Sequence, residues 1–309
     1  MQLPLADIVT SKERKGDPMS LLLTGAIIAG ACLLRSEYEK VCLKLKTYTI
    51  ENEKIPDNFD GVRIAVLSDL HNKKFGTNNE DLYRYLKDAH PDYILSAGDL
   101  ITKTKPEDTL DVAQFVGSLT KLCPVYLGNG NHELKLRQYQ VPGLGISAYD
   151  RYVRHLNQFG VTVLADETAV LERDGQSICV TGLDLGLEHY VKASHMPMKA
   201  GYMEGKLGQA QEGKFHILLG HYPNYFPEYV AWGADLVLAG HMHGGTVRLP
   251  GVGGLMSPNF EFFPTYDKGL FTRKGSAMVV SPGLGTHSIN VRFGENFPEI
   301  PVIVLKKKK

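Results

Sequence analysis

Cysteine is scarce in this sequence, and so is net charge. The four cysteines, Cys32, Cys42, Cys123 and Cys179, contain no C-x-x-C pair, which excludes a zinc ribbon and a disulfide scaffold and leaves the redox compartment open. Cys123 and Cys179 sit in apolar surroundings ("KLCPVYL", "SICVTG") and read as ordinary core residues. Lys+Arg and Asp+Glu both number 34, so the formal net charge is zero and no basic stripe argues for a nucleic-acid partner. There is no internal repeat and no long linker. Uncharged apolar runs stay below the ~20 residues that a membrane-crossing helix needs.

What is present is a folded-protein composition. The 309 residues are 43% hydrophobic and 22% charged, enough for one large α/β domain or two small ones. Met19 to Leu34, "MSLLLTGAIIAGACLL", carries no charge and is bracketed by Lys12, Arg14 and Lys15 before it and Arg35 and Lys40 after it. That bracketing favours a membrane segment, either a signal-like run or a short or tilted anchor, over a buried helix. The expected division is a tail over 1–37, a connecting strand and turn over 38–60, and a main domain over 61–309. The expected location is the membrane or cell envelope, on a side the charges leave open.

From Gly61 the chain alternates short apolar runs with amphipathic ones. "RIAVLSD", "DYILSAGD" and "PVYLGNGNHE" read as strands, and "EDLYRYLKDA" and "EDTLDVAQFVGSLTKL" as helices, a βαβαβ series that implies parallel strands with helical crossovers. "AYDRYVRHLNQFG" is a further helix. After Ala169, "AVLERDG", "SICVTGLD", "FHILLGH", "ADLVLAGH", "SAMVVSPG" and "PVIVLK" are short strands with little helix between them, which suggests a second sheet packed on the first.

The strand ends carry the chemistry. "SDLHN" supplies Asp69 and His71, "AGDL" Asp99, "GNGNHE" Asn131 and His132, "LGHYP" His221, and "AGHMHGG" His241 and His243. Any one of these alone reads best as a satisfied core or turn residue. All of them at the carboxyl ends of strands, where the loops of an α/β site lie, read as one site. In an extended segment His241 and His243 project to one side and Met242 to the other, into the core. His90, His155, His189, His195, His216 and His287 lie outside these blocks and read as surface or core residues.

The ordered blocks D-x-H, G-D, G-N-H-[DE], H and G-H-x-H resemble those of the calcineurin-like metallophosphoesterases, from about Gly61 to the C-terminus. The "SDLHN" opening, the "GGTVRLPG" continuation and the closing "SPGLGTHSINVRFGENFPEI" are similar to its membrane-associated bacterial branch. That branch includes cell-envelope phosphoesterases and pyrophosphatases acting on UDP-2,3-diacylglucosamine. Protein serine/threonine phosphatases carry an acid where this chain has Thr102 in "GDLITKT". Pro282 stands where much of the branch has an arginine.

The resemblance implies a four-layer αββα sandwich of two mixed β-sheets flanked by helices. It also implies a dinuclear metal-dependent hydrolase of phosphodiester, phosphomonoester or pyrophosphate bonds, with a phosphate-ester substrate that can be lipid-linked. By carry-over, Asp69, His71, Asp99 and His243 hold one divalent metal and Asp99, Asn131, His221 and His241 the other. His132 acts as general acid beside a metal-activated water. Imidazole, carboxylate and amide ligands without thiolate suit manganese first, with iron or zinc as alternatives. Glu133 reads as structural, and Asn72 as a turn residue or a phosphate contact.

Overall fold

A computed structural model describes residues 18–102, 109–194, 196–286 and 290–308. His195 and His287 lie outside them. In chain order the elements are α1 (Pro18–Val41), β1 (Lys44–Asn52), β2 (Arg63–Leu67), α2 (Glu80–Asp88), β3 (Tyr93–Ser96), α3 (Thr109–Leu119), β4 (Val125–Gly128), α4 (Asn131–Leu136), α5 (Ala148–Gln158) and β5 (Thr162–Leu164). The second half holds β6 (Thr168–Arg173), β7 (Gln176–Gly182), α6 (Tyr202–Leu207), β8 (His216–Leu219), α7 (Phe226–Trp232), β9 (Leu236–Ala239), β10 (Arg248–Leu249), β11 (Gly253–Gly254), β12 (Gly269–Arg273), β13 (Ser276–Val280) and β14 (Glu299–Lys307).

Local sequence explains the main boundaries. In α2, Leu82 and Leu86 are four residues apart and both fully buried, so the helix lies with one stripe on the sheet. In α5, the Ser147 hydroxyl accepts the Asp150 N–H at 3.0 Å and the Asp150 carboxylate accepts the Ser147 N–H at 3.2 Å, a reciprocal cap that fixes where the helix starts.

Two six-stranded sheets form, ordered β1-β14-β2-β3-β4-β5 and β12-β13-β9-β8-β7-β6. The core between them includes Ile64, Val66 and Leu95 from one sheet and Ile217, Leu219, Leu236 and Leu238 from the other. Outside the first sheet, Leu82, Leu86, Val116, Tyr152 and Leu156 of α2, α3 and α5 pack against Ala65, Leu67 and Ile94. Outside the second, Met203, Phe226, Tyr229 and Trp232 of α6 and α7 pack against Leu218 and Val237. The result is a four-layer αββα sandwich, as the motifs implied.

Two sequence expectations are corrected. "PVIVLK" belongs to the first sheet: β14 runs parallel to β1 and antiparallel to β2. Its alternate residues are apolar on both sides, with Ile300 facing the helix layer and Ile303 and Leu305 the inter-sheet core, so it fits only where both sheet faces are covered. The helix expected from the apolar run continues past Leu34 to Val41, because Ser36, Glu39 and Lys40 are buried against the domain.

Candidate metal centre

The central strands β2, β3 and β4 run parallel in one sheet, and β8 and β9 run parallel in the other. Their carboxyl ends release Asp69, Asp99, Asn131, His221 and His241, each two or three residues beyond the last strand residue. Asp69, His71, Asp99, His221, His241 and His243 are thereby gathered into one site. Asp69, Asp99, Asn131, His221, His241 and His243 are 4% exposed or less.

Three overlapping groups converge: Asp69 with His71 and His243, Asp99 with His221 and His241, and His71 with Asp99 and His132. The first two hold three residues of each implied ligand set, without Asp99 in the first and Asn131 in the second, and the third brings His132 beside Asp99 and His71. His221 Nε2 lies 3.2 Å from Asp99 Oδ2, and His243 Nε2 lies 3.5 Å from Asp69 Oδ1. His71 Nε2 and His243 Nε2 are 3.2 Å apart. Ligands about 2.1 Å from a common cation stand about 3.0–3.4 Å from one another in octahedral or tetrahedral geometry, so these spacings suit metal coordination.

The backbone is bent to achieve this. Asp69, His71, Asp99, His241 and His243 all have positive φ, between 48° and 67°. Left-handed conformations at residues other than glycine cost free energy and gather at functional sites. They also correct the picture of "GHMHGG" as an extended segment: Met242 is right-handed between two left-handed histidines. Both imidazoles still face the cluster, and Met242 is fully buried in the core behind it. The crowding explains Gly130 and Gly240, where an added Cβ would stand 2.3 Å from Asp99 Oδ1 and from Asp69 Oδ2 respectively.

Surrounding groups orient the ligands. His221 Nδ1 is 2.7 Å from the Ala97 carbonyl, which can only accept, so Nδ1 carries the proton and Nε2 is left for the centre. Both oxygens of Asp69 accept the His241 N–H, at 3.0 and 3.1 Å. Asp99 Oδ1 accepts the His132 N–H at 2.8 Å. Glu133 is no part of the ligand groups: its carboxylate accepts the N–H groups of Asp99 and Leu100, each at 2.8 Å, and of Gly130 at 2.9 Å. Asn72 Oδ1 accepts the Thr102 N–H at 2.6 Å, a turn role.

Electrostatics show what the cluster demands. Burial pushes the Asp69 carboxyl up to about 6, with Asp99 adding to the effect. Burial also opposes ionisation of Asp99, but the imidazoles of His221, His132 and His71 outweigh it and hold the carboxyl well below its usual range. Burial works against a charged His221, yet the Asp99 carboxylate lifts it to about 9. The carboxylates thus call for positive charge, and a divalent cation supplies it. The Asn131 carboxamide oxygen is buried without a hydrogen-bond partner, as fits a group aimed at an ion.

Several supporting residues carried no sequence signal. Tyr190 and Tyr222 pack edge-on against His241, with ring centroids 5.2 and 4.8 Å away. Arg292, 1% exposed, donates to the carbonyls of Pro282, Gly283, Gly285 and Asn296. It therefore braces the "SPGLG" loop rather than supplying the cation missing at Pro282. Of the remaining histidines, His189 and His216 are buried and His90 is exposed.

The family model for calcineurin-like phosphoesterases matches residues 62–245, which contain every ligand named above. The chain is 29% identical over 297 residues to the "uncharacterized metallophosphoesterase YkuE" of Bacillus subtilis (strain 168), covering 92% of this chain and 93% of that one. It is 26% identical to YkoQ of the same organism, described in the same words, over 84% of this chain and 88% of that one. A zebrafish (Danio rerio) "transmembrane protein with metallophosphoesterase domain" is 28% identical over 85% of this chain and 57% of its own length. The chain belongs to the calcineurin-like phosphoesterase family and is a metal-dependent phosphoric ester hydrolase.

Proposed function

We propose that the site holds two divalent cations, Asp69, His71, Asp99 and His243 binding one and Asp99, Asn131, His221 and His241 the other, and that it hydrolyses phosphate esters or anhydrides with His132 as general acid. The observation that carries this is that Asp99 stands both in the group with His71 and in the group with His221 and His241, so one carboxylate links the two sides of the cluster. Bound there, such cations supply Lewis acidity toward a phosphoryl oxygen and lower the pKa of a water. Two dications against the two carboxylates leave about two positive charges, which selects an anionic phosphoryl group.

The protein's own groups do the rest. Glu133 holds the Asp99 and Gly130 backbones together, so the shared carboxylate keeps its place. His132 has its main-chain N–H fixed by Asp99 and its ring 4.9 Å from that of His71, which sets it beside the centre, where it would give a proton to the leaving oxygen. Manganese is the first candidate metal, on ligand chemistry. A membrane or envelope location, as in the branch with UDP-2,3-diacylglucosamine pyrophosphatases, is supported by the apolar surface of α1 and by the zebrafish relative's printed name.

The test is hydrolysis of bis-p-nitrophenyl phosphate by purified protein with manganese. Activity should vanish on chelation and in Asp99→Ala. Turnover surviving both would overturn the reading.

A further inference from the structure

Helix α1 has two unlike halves. In the outer half Met19, Leu22, Leu23, Ile27, Ile28, Leu33 and Leu34 are 58–75% exposed. At 100° per residue six of these positions fall within an arc of about 140° with Ile28 opposite, and the exposed Ala29, Ala31 and Cys32 occupy the sides between, so the uncharged apolar surface closes round the helix. A Cβ added at Gly25 or Gly30 would touch nothing. A single protein partner is met by a stripe; a surface apolar all round is met by lipid.

The inner half is built into the metal centre's scaffold. Glu39, fully buried, accepts the N–H groups of Glu295 at 3.0 Å and Asn296 at 2.9 Å and pairs with Arg35 at 2.7 Å. Asn296 Nδ2 then donates to the His243 carbonyl at 2.8 Å. On the other side, Lys73, two residues beyond His71, donates to the carbonyls of Lys40 and Leu284, and Gly285 N–H donates to the Asp69 carbonyl. The helix base is thus joined to the backbone around three ligands.

Where the helix leaves the domain, cations and aromatic rings form a collar. The Arg35 guanidinium lies 5.7 Å from the Tyr38 ring and 5.6 Å from that of Phe297, and Lys44 Nζ lies 5.1 Å from the Phe297 ring. Basic and aromatic side chains of this kind are those favoured at the lipid–water boundary. Among the described residues no helix is long and apolar enough to cross a membrane. Met19 to Leu34 rises about 24 Å against a hydrocarbon core of about 30 Å.

We propose that the outer half of α1 inserts into a lipid bilayer without crossing it, that Arg35, Tyr38, Lys44 and Phe297 lie at head-group level, and that the Glu39 joint holds the metal centre against that surface. The phosphate esters it meets are then those displayed at the lipid surface, a consequence that rests on the phosphoesterase reading.

The test compares the full chain with Leu23→Glu/Ile27→Glu, each carboxylate weakening insertion into hydrocarbon by about a hundredfold. Vesicles of phosphatidylcholine and phosphatidylglycerol are floated with each protein. Hydrolysis is then measured on dissolved bis-p-nitrophenyl phosphate and on a nitrophenyl phosphodiester of a long-chain alcohol embedded in the vesicles. The wild type should float and the variant should not; their rates on the dissolved ester should match, and the variant's rate on the embedded ester should fall about tenfold or more. Equal flotation overturns the insertion, as does a wild type that stays in the aqueous layer and self-associates until the two glutamates are introduced. Equal rates on the embedded ester overturn the positioning of the centre. A wild type that floats but leaves the dissolved ester intact instead counts against the phosphoesterase reading, while the insertion stands.

Discussion

Replacing Glu133 with glutamine tests how the centre is charged. Burial and the neighbouring Asp99 push the Glu133 carboxyl up to about 7 from 4.5. A carboxyl raised on folding contributes stability that is fully present below about pH 4.5 and is lost as pH rises through about 7. At 1.36 kcal/mol per pH unit, the ionised side chain costs the metal-free fold about 3 kcal/mol above neutrality. Cations beside Asp99 would remove that cost, so metal binding to the wild type should recover up to about 3 kcal/mol, a factor of a few hundred in affinity. Glutamine keeps the shape and lacks the charge. We expect Glu133→Gln, at pH 8, to bind manganese about a hundredfold more weakly in competition with a chelator, while its metal-free melting temperature stays close to that of the wild type, relief of the buried charge offsetting the N–H acceptor that its NH2 cannot replace. Between pH 4.5 and 7 the metal-free variant should lose less stability than the wild type, with the Asp69 contribution remaining in both. Manganese affinities within about threefold of one another would refute the reasoning.

Other substitutions separate ligand, acid and scaffold. His132→Ala should lower phosphodiester hydrolysis by about 10²- to 10⁴-fold with metal content intact by elemental analysis. His241→Ala and His243→Ala should each reduce metal content, whereas Met242→Leu, a swap of similar volume in the core, should cost under about 1.5 kcal/mol and leave it unchanged. Gly240→Ala should force the Asp69 carboxylate aside by about 1 Å and lower metal content and activity together, since contacts near 2.3 Å cannot persist. Arg292→Met removes the donor to four buried carbonyls and should destabilise the protein by about 3 kcal/mol or more in urea denaturation.

Much of this architecture was legible because its periodicities are local. The strands Arg63–Leu67, Tyr93–Ser96 and Leu236–Ala239 and the helices Glu80–Asp88 and Ala148–Gln158 lie within the runs that announce them. The destination of β14 was not legible, since pairing with β1 joins residues about 250 apart and an apolar strand fits the middle of either sheet. The convergence of Asp69, His71, Asp99, His221, His241 and His243 followed from their positions at strand ends. The route by which His241 and His243 converge did not: spacing suggested an extended segment, while close approach to Asp69 imposes alternating left- and right-handed residues.

The supporting residues escaped sequence reading for a different reason. A metal ligand must be one of a few residue types, so its identity is written in the chain. A residue that holds a ligand's backbone needs only a donor or acceptor in the right place, and many types qualify. Glu39, Arg292 and Asn296 do this work from outside the 62–245 span of the family match. Glu39 sits on a helix that the sequence presents only as an apolar run, and Arg292 and Asn296 on a connection whose strand was expected elsewhere. The same contacts that make these residues hard to read join the N-terminal helix to the C-terminal strand around the metal centre. A cut between that helix and the domain would therefore remove part of the centre's own support, and the boundary expected near residue 37 falls beside Glu39, where the two are held together.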